Sequence, residues 1–304
     1  MRQEAFEDFV RYLTSKVSVD DRALHSRVWS TFVSQLGPGT AVSPLRVLEA
    51  GAGIGTMLVR LLDRGLLTHA DYDAVEADAN LATAAQAHVR GWAESQGWEV
   101  DGSGEALRLS HGERQVRLRW HTNDIRAHRG EPADVLLAHA FLDLVDLPQV
   151  LPAMLHGLKP QGIFLFSLTF DGLTGFLPEE PGAFEDDLLR AYHRTMDHRR
   201  VDGAPSGHSR SGRRLLGMLP RMGTVILDAG PSDWLVLPHD GGYPGDEAYF
   251  LHFIVETMRG AVRDEPQLDT GLLEAWASKR HGQIERGELV LMAHQWDVVG
   301  KRAP

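Results

Sequence analysis

From Leu45 onward the chain repeats one rhythm, a short apolar run followed by an amphipathic stretch long enough for a helix. LRVLEA leads into a helix through Met57–Leu67 and YDAVEA into one through Asn80–Trp92; then come VRLRWHTND, ADVLLAHA, a helix through Pro148–Leu158 and GIFLFSLTF. Strands joined by helices of this length require right-handed crossovers, so the sheet they build is mostly parallel. VLLAHA and IFLFSL are apolar throughout, as strands covered on both faces are. Five such strands by Phe170 predict a doubly wound α/β sheet of about seven strands.

The rhythm is absent at both ends. Residues 4–36 read as helices, with Phe6, Phe9, Val10 and Leu13 at helical spacing and a second stretch from Asp20 carrying Leu24, Val28, Trp29, Phe32, Val33 and Leu36; GPGT closes the region. Gly172 to Gly223 reads as a helical insertion, with a helix over Phe184–Arg199, the turn-rich VDGAPSGHS and a second helix from Gly212. TVILDA and DWLVLP resume extended chain, two further helices follow, and ELVLMAHQWDVVGKR suits an edge strand. The chain therefore divides into an N-terminal helical segment (1–40), an α/β core (41–170), an insertion or lid (171–222) and a C-terminal part (223–304) that completes the sheet.

Composition narrows the chemistry. There are no cysteines, which excludes disulfides, thiolate nucleophiles, iron–sulfur clusters and cysteine zinc sites. A net charge of −11 disfavours nucleic acid and anionic membranes as partners. No apolar run is long enough to span a bilayer, and a cytoplasmic protein is expected. One stretch runs against the acidic average: Arg190, Arg194, Arg199, Arg200, Arg210, Arg213, Arg214 and Arg221 stand with three histidines against Asp197 and Asp202. As a lid, these arginines suit an anionic ligand; otherwise they form a solvated helix and loop.

The turn after the first strand is Glu49-x-Gly51-x-Gly53-x-Gly55. Glycines there let backbone N–H groups approach a ligand with the positive end of a helix behind them. A dinucleotide fingerprint beginning at Gly51 requires glycine at 56, where this chain has Thr56, and Glu49 ahead of the turn suits an amine-bearing ligand better than a pyrophosphate. Glu76 at the end of the second strand is placed to accept ribose hydroxyls, and Asp124 in HTNDI to accept an adenine amino group.

With these motifs in this order, the sequence resembles the class I S-adenosylmethionine-dependent methyltransferases, over about residues 44–170. VLEAGAGIGTM matches their first motif, DAVEAD the second, TNDIRA the adenine segment and ADVLLAHAFLDLVD the fourth-strand motif. The resemblance implies a Rossmann-like core and S-adenosyl-L-methionine as cofactor. It implies that Glu49, Gly51, Ala52, Gly53 and Gly55 shape the methionine and ribose pocket, that Glu76 and Ala77 face the ribose, and that Asn123, Asp124 and Ile125 hold the adenine. His139 lies on the same rim. The Asn or Asp followed by two prolines that marks the family's nucleic-acid and glutamine-modifying members is absent from HAFLD, which favours a small-molecule acceptor, methylated on oxygen or nitrogen, with an anionic metabolite as one hypothesis.

On the acceptor side the expected catalytic groups are His139 and Asp143, His139 as a base or as a pocket wall. Arg27, Trp29, Phe141, His239, Tyr243 and His252 are the expected substrate contacts, with no metal site. A nicotinamide-dependent oxidoreductase and a non-catalytic binding module are the alternatives. The oligomeric state is open, a homodimer among the options.

Overall fold

The structure, a computed structural model, describes residues 3–201 and 203–304; Asp202, counted above against the basic stretch, lies outside them. Three helices open the chain: α1 (Gln3–Ser15), α2 (Val17–Ala23) and α3 (Ser26–Gln35). Then come β1 (Leu45–Ala50), α4 (Thr56–Asp63), β2 (His69–Val75), α5 (Ala79–Ser95) and the strands β3 (Glu99–Ser103), β4 (Ala106–His111) and β5 (Arg114–His121). They are followed by β6 (Ala133–His139), α6 (Leu147–His156), β7 (Leu158–Leu177), α7 (Phe184–His198) and the two-residue strands β8 (Arg200–Val201) and β9 (Ala204–Pro205). Finally, α8 (Ser211–Met218), β10 (Thr224–Pro231), β11 (Trp234–Val236), α9 (Glu247–Val262), α10 (Thr270–Glu285) and β12 (Val290–Arg302) close the chain.

One ten-stranded sheet organises the molecule in the order β10, β12, β7, β6, β1, β2, β5, β4, β3, with β11 paired to β12. Its centre is parallel, β1 beside β2 and β6, β2 beside β5, and β6 beside β7. The chain builds outward from β1 on one side and then crosses to β6 on the other, so a crevice opens at the C-terminal ends of β1 and β6, where ligands bind in sheets of this kind.

Three differences from the sequence reading have physical causes. The final apolar run is no edge strand: β12 lies antiparallel between β7 and β10, which explains why Val298 and Val299 are wholly buried. A hairpin, β3–β4, extends the sheet beyond β5, built on the alternation of buried Leu107 and Leu109 with exposed neighbours. β7 runs through the boundary expected at residue 170 and pairs with β12 as far as Leu177, so the insertion leaves from the end of a long strand.

The sheet is covered on both faces. Val28 and Phe32 of α3 pack with Met57, Leu58 and Leu61 of α4 and Ala85 and Val89 of α5 on one face; Val150, Leu151 and Met154 of α6 and Leu215 of α8 cover the other. A third cluster joins α7, α9 and α10 around Phe250, Val255 and Leu273. No helix among the described residues is long and apolar enough to cross a membrane.

Candidate active site

The glycine turn joins β1 to α4 and is anchored to β2. Gly51 and Ala52 both donate backbone N–H groups to the Val75 carbonyl, at 2.9 and 3.1 Å. All three glycines have positive φ (+67°, +54° and +80°) but differ in surroundings. A Cβ at Gly51 would stand 2.1 Å from the Phe141 ring and one at Gly55 2.7 Å from Val89, whereas one at Gly53 would meet nothing within 4 Å. Gly53 is thus where the backbone stays open to a ligand, and the other two allow close packing.

The Glu76 carboxylate closes the turn from the side, accepting the Gly53 N–H at 2.9 Å through one oxygen and the Asp78 N–H at 3.0 Å through the other. Asp78 caps α5, so the helix start and the turn share one polar corner. Ala77, beside Glu76, is exposed. At the end of β5, Asp124 is committed to Arg126, whose guanidinium and backbone N–H it accepts at 2.7–2.9 Å, and that contact holds its pKa below the usual carboxylate range. The neighbouring Asn123 has its buried Oδ1 without a partner, and Ile125 is buried.

Glu49 is buried at the end of β1 and accepts the Tyr72 hydroxyl at 2.6 Å. Burial pushes its carboxyl pKa up to about 7 against the opposing pull of Tyr72 and Arg60. Arg60, also buried, reaches Asp21 of α2 through Nε and sets Nη1 3.9 Å from Met57 Sδ. Its Nη2 has no hydrogen-bond partner among the described residues.

On the other side of the crevice, His139 is the centre of a buried relay. Its Nδ1 lies 2.8 Å from Ser167 Oγ and its Nε2 3.3 Å from Asp20 Oδ2, which accepts Lys16 Nζ at 2.7 Å, while Asp20 Oδ1 accepts Trp234 Nε1 at 2.9 Å. Burial pushes His139 down to about 4, so the imidazole is neutral, with Nε2–H donated to Asp20 and Nδ1 accepting from Ser167. Burial also opposes ionisation of Asp20, but Lys16 and His139 outweigh it and hold that carboxylate low. With both ring nitrogens engaged, His139 orients the end of β6 against α2 and has no lone pair left for a base. The backbone here is unusual: Ala140 and Leu168, just beyond His139 and Ser167, have φ of +49° and +54°.

Asp143 follows β6 and is gripped from the insertion. Its carbonyl accepts Arg199 Nη2 at 3.4 Å and the His208 N–H at 3.2 Å, and Ser206 Oγ donates to the Leu144 carbonyl at 2.7 Å. Its Oδ1 is buried without a partner, and burial raises its pKa. The Asp143 charge reaches the phenols of Tyr12 and Tyr192; burial is the main reason both titrate high, Tyr192 up to about 12.

Of the remaining expected contacts Phe141 stands at the glycine turn and the others are placed elsewhere. Arg27 pairs with Asp228 of β10, four strand positions from β1. Trp29 packs on the core beside Phe32 under the Arg64 guanidinium, and Phe141 lies against Gly51. Exposed His239 forms a bridge with Gly242, Tyr243 donates to the Leu289 carbonyl, and His252 stacks on His281 between α9 and α10, beside the third cluster. In the insertion Arg213 holds Asp171, Arg190 holds Asp187 and Arg194 approaches Glu265, so these arginines are engaged by carboxylates of the chain itself. Tyr12, Lys16, Asp20, Arg60 and Tyr192 carry no signal in the sequence that marks them for the site. Lys16 and Asp20 stand at i, i+4, yet nothing local says that their partner lies at the end of β6.

No family model matches the chain, and no curated protein matches it. Among solved structures it is similar to an S-adenosylmethionine-dependent methyltransferase from Thiobacillus denitrificans in complex with S-adenosyl-L-homocysteine (14% identity over 93% of each chain, TM-score 0.46). It is similar also to geranyl diphosphate C-methyltransferase from Streptomyces coelicolor A3(2) (12%, 90% of this chain and 76% of that one, TM-score 0.45) and to mycolic acid cyclopropane synthase CmaA1 (12%, 89% and 81%, TM-score 0.45).

Proposed function

We propose that this chain is a methyltransferase that moves the methyl group of S-adenosyl-L-methionine to an oxygen or nitrogen of a small molecule. The observation that carries the reading is the open backbone at Gly53, held at the switch point of the sheet with the Glu76 carboxylate against its N–H. A nucleoside fits this corner. Glu76 has acceptor capacity beyond the two N–H groups it takes and sits where ribose hydroxyls need it. The unpartnered Asn123 Oδ1 is a better acceptor for an adenine amino group than Asp124, which Arg126 occupies.

When bound, S-adenosyl-L-methionine supplies a methyl group on a positively charged sulfur. The protein's part is to align the acceptor, exclude water and take a proton. Asp143 is the group that takes the proton. Its free Oδ1 accepts the hydrogen bond of the acceptor's O–H or N–H and then its proton, which a carboxyl of raised pKa holds readily. The neutral His139 relay fixes the wall opposite. Because Arg190, Arg194, Arg199, Arg200 and Arg213 bind the chain's own carboxylates and carbonyls, a hydroxyl or amine facing Asp143 is a better-supported acceptor than an anion.

Parallel thermal-shift measurements with S-adenosylmethionine, S-adenosylhomocysteine and NAD test the reading. Stabilisation by the first two is expected, and stabilisation by NAD alone would overturn it. Asp143→Asn is expected to leave S-adenosylhomocysteine affinity within about twofold of wild type, since the substitution keeps shape and removes only proton-accepting capacity.

A further inference from the structure

We propose that residues 199–208, which link α7 to α8, form a strap that must release before an acceptor reaches Asp143. The proposal rests on the role given to Asp143 above and adds the step that admits the acceptor.

The insertion is anchored at both ends. α7 buries Leu188 and Ala191 in the third cluster. α8 is pinned through the buried Asp171, whose carboxylate accepts the backbone N–H and guanidinium of Arg213 and Nε1 of Trp296. Between these anchors the chain is held differently. β8 and β9 pair with each other, and Arg200, Val201, Ala204 and Pro205 are all exposed, so the hairpin buries no apolar side chain. Among the described residues, the hydrogen bonds that tie it to the rest of the fold run to two backbone carbonyls. Arg199 Nη2 and the His208 N–H donate to Asp143, and Ser206 Oγ donates to Leu144.

Gly207 lets the strap lie flat on the loop after β6. Its φ is +80°, and a Cβ there would stand 2.6 Å from the Asp143 carbonyl oxygen. The seat closes the site: Asp143 Oδ1, the oxygen that takes the proton, is buried without a partner, and the Arg199 charge acts on the same carboxyl. An acceptor cannot meet that oxygen while the strap is seated, whereas a strap that reseats over a bound acceptor shuts water out. Three hydrogen bonds with no apolar burial behind them open at far lower cost than the two anchors, so release is local and leaves α7 and α8 in place.

Access to Asp143 can be read without knowing the acceptor. A water-soluble carbodiimide with glycine ethyl ester labels accessible carboxyls, and peptide mass mapping gives the rate at each one; Asp20, buried in the His139 relay, reports global unfolding. In wild type, Asp143 is expected to label faster than Asp20. Ser206→Ala is expected to raise the Asp143 rate about threefold to tenfold, the change in opening for one lost hydrogen bond. Because the chain has no cysteine, Leu144→Cys with Ser206→Cys sets the only two thiols across the seat, and a short bismaleimide bridges them. The bridged protein is expected to label at Asp143 at least about tenfold more slowly than the same protein unbridged, with Asp20 unchanged throughout; where bridging is incomplete, Ser206→Ala alone decides. An Asp143 rate that neither Ser206→Ala nor the bridge alters, or one no faster than that of Asp20 in wild type, would overturn the strap and leave the cofactor reading standing. A wild-type protein that labels as expected but does not bind S-adenosylhomocysteine would overturn the cofactor reading and leave the strap as the gate to Asp143.

Discussion

The two sides of the crevice hold their shape by different means. On the β1–β2–β5 side the working groups are backbone amides of one turn and a carboxylate that reaches across from the next strand end, all within a short stretch of the fold. On the β6–β7 side they are largely buried polar side chains drawn from α1, α2, the end of β6 and the loop after it, β7, α7 and β11. The first side tolerates little added volume; the second tolerates little change of charge. Low dielectric sharpens the contrast, since a buried polar network strengthens every bond in it and makes each missing partner expensive.

The largest expected effect therefore falls on the second side. Asp20→Ala leaves Lys16 buried without its counter-charge and removes the acceptors of His139 and Trp234. Removing one partner of a buried ion pair costs about 3–5 kcal/mol, and urea unfolding measures it. A loss below about 1 kcal/mol would mean that the network is wet and the two sides are alike. The pH dependence has a definite sign. His139 is lowered from 6.5 to about 4 by burial, so the unfolded chain takes up its proton first as pH falls. The stability held by neutral His139 is whole above pH 6.5 and drains away toward pH 4. Asp20, held low, adds a further loss only below its ordinary range near 3.8. His139→Gln should flatten the unfolding free energy between pH 6.5 and 4.

On the first side the matching test is steric. Gly51→Ala must hold a positive φ and push Phe141 aside, a cost of about 2–4 kcal/mol when backbone strain and overpacking are combined. Gly53→Ala carries the strain without the collision, so about 1–2 kcal/mol is expected from it, together with a clear loss of S-adenosylhomocysteine affinity. If the two glycines behave identically in thermal melts, Gly53 is not the open point of the turn.

This difference also explains what the sequence discloses. The β1–β2–β5 side can be read because each of its groups sits at a fixed offset from a strand end, and strand ends follow from the apolar runs. Even there the residues reveal identity and not partner: Asp124 reads as a ligand contact, but Arg126, two residues on, claims it, and Asn123 is left with the free acceptor. The other side depends on tertiary juxtaposition. His139 is visible as a histidine at the end of a strand, but Asp20, which fixes its tautomer, is more than a hundred residues earlier and reads locally as an ordinary helix acid. β12 illustrates the same limit in the fold, because strand order is decided by where helices leave room and not by the composition of the strand.

Smaller than these is the effect of Glu76→Ala, which removes charge-assisted contacts to the turn. A loss of about 1.5–3 kcal/mol in S-adenosylhomocysteine binding is expected, with 5′-methylthioadenosine affected equally, because the proposed function sets Glu76 against the nucleoside. Calorimetry of both ligands checks it, and an effect confined to one of them would move Glu76 out of the ribose corner.

The smallest effect tests the boundary of the site itself. Arg27 reads in the sequence as a substrate contact on the N-terminal helical segment, outside the repeating core. The fold carries it to β10, where it meets Asp228 at 2.8 Å with most of its side chain in solvent. Exposed pairs of this kind contribute about 0–1 kcal/mol, because water screens the attraction and ordering two long side chains offsets much of it. Arg27→Ala should therefore lower the melting temperature only slightly and leave S-adenosylhomocysteine affinity unchanged, in contrast to Glu76→Ala beside the turn. Should Arg27→Ala weaken ligand binding as much as Glu76→Ala does, α3 would belong to the crevice, and the separation between an enclosed site and a solvated outer sheet would fail.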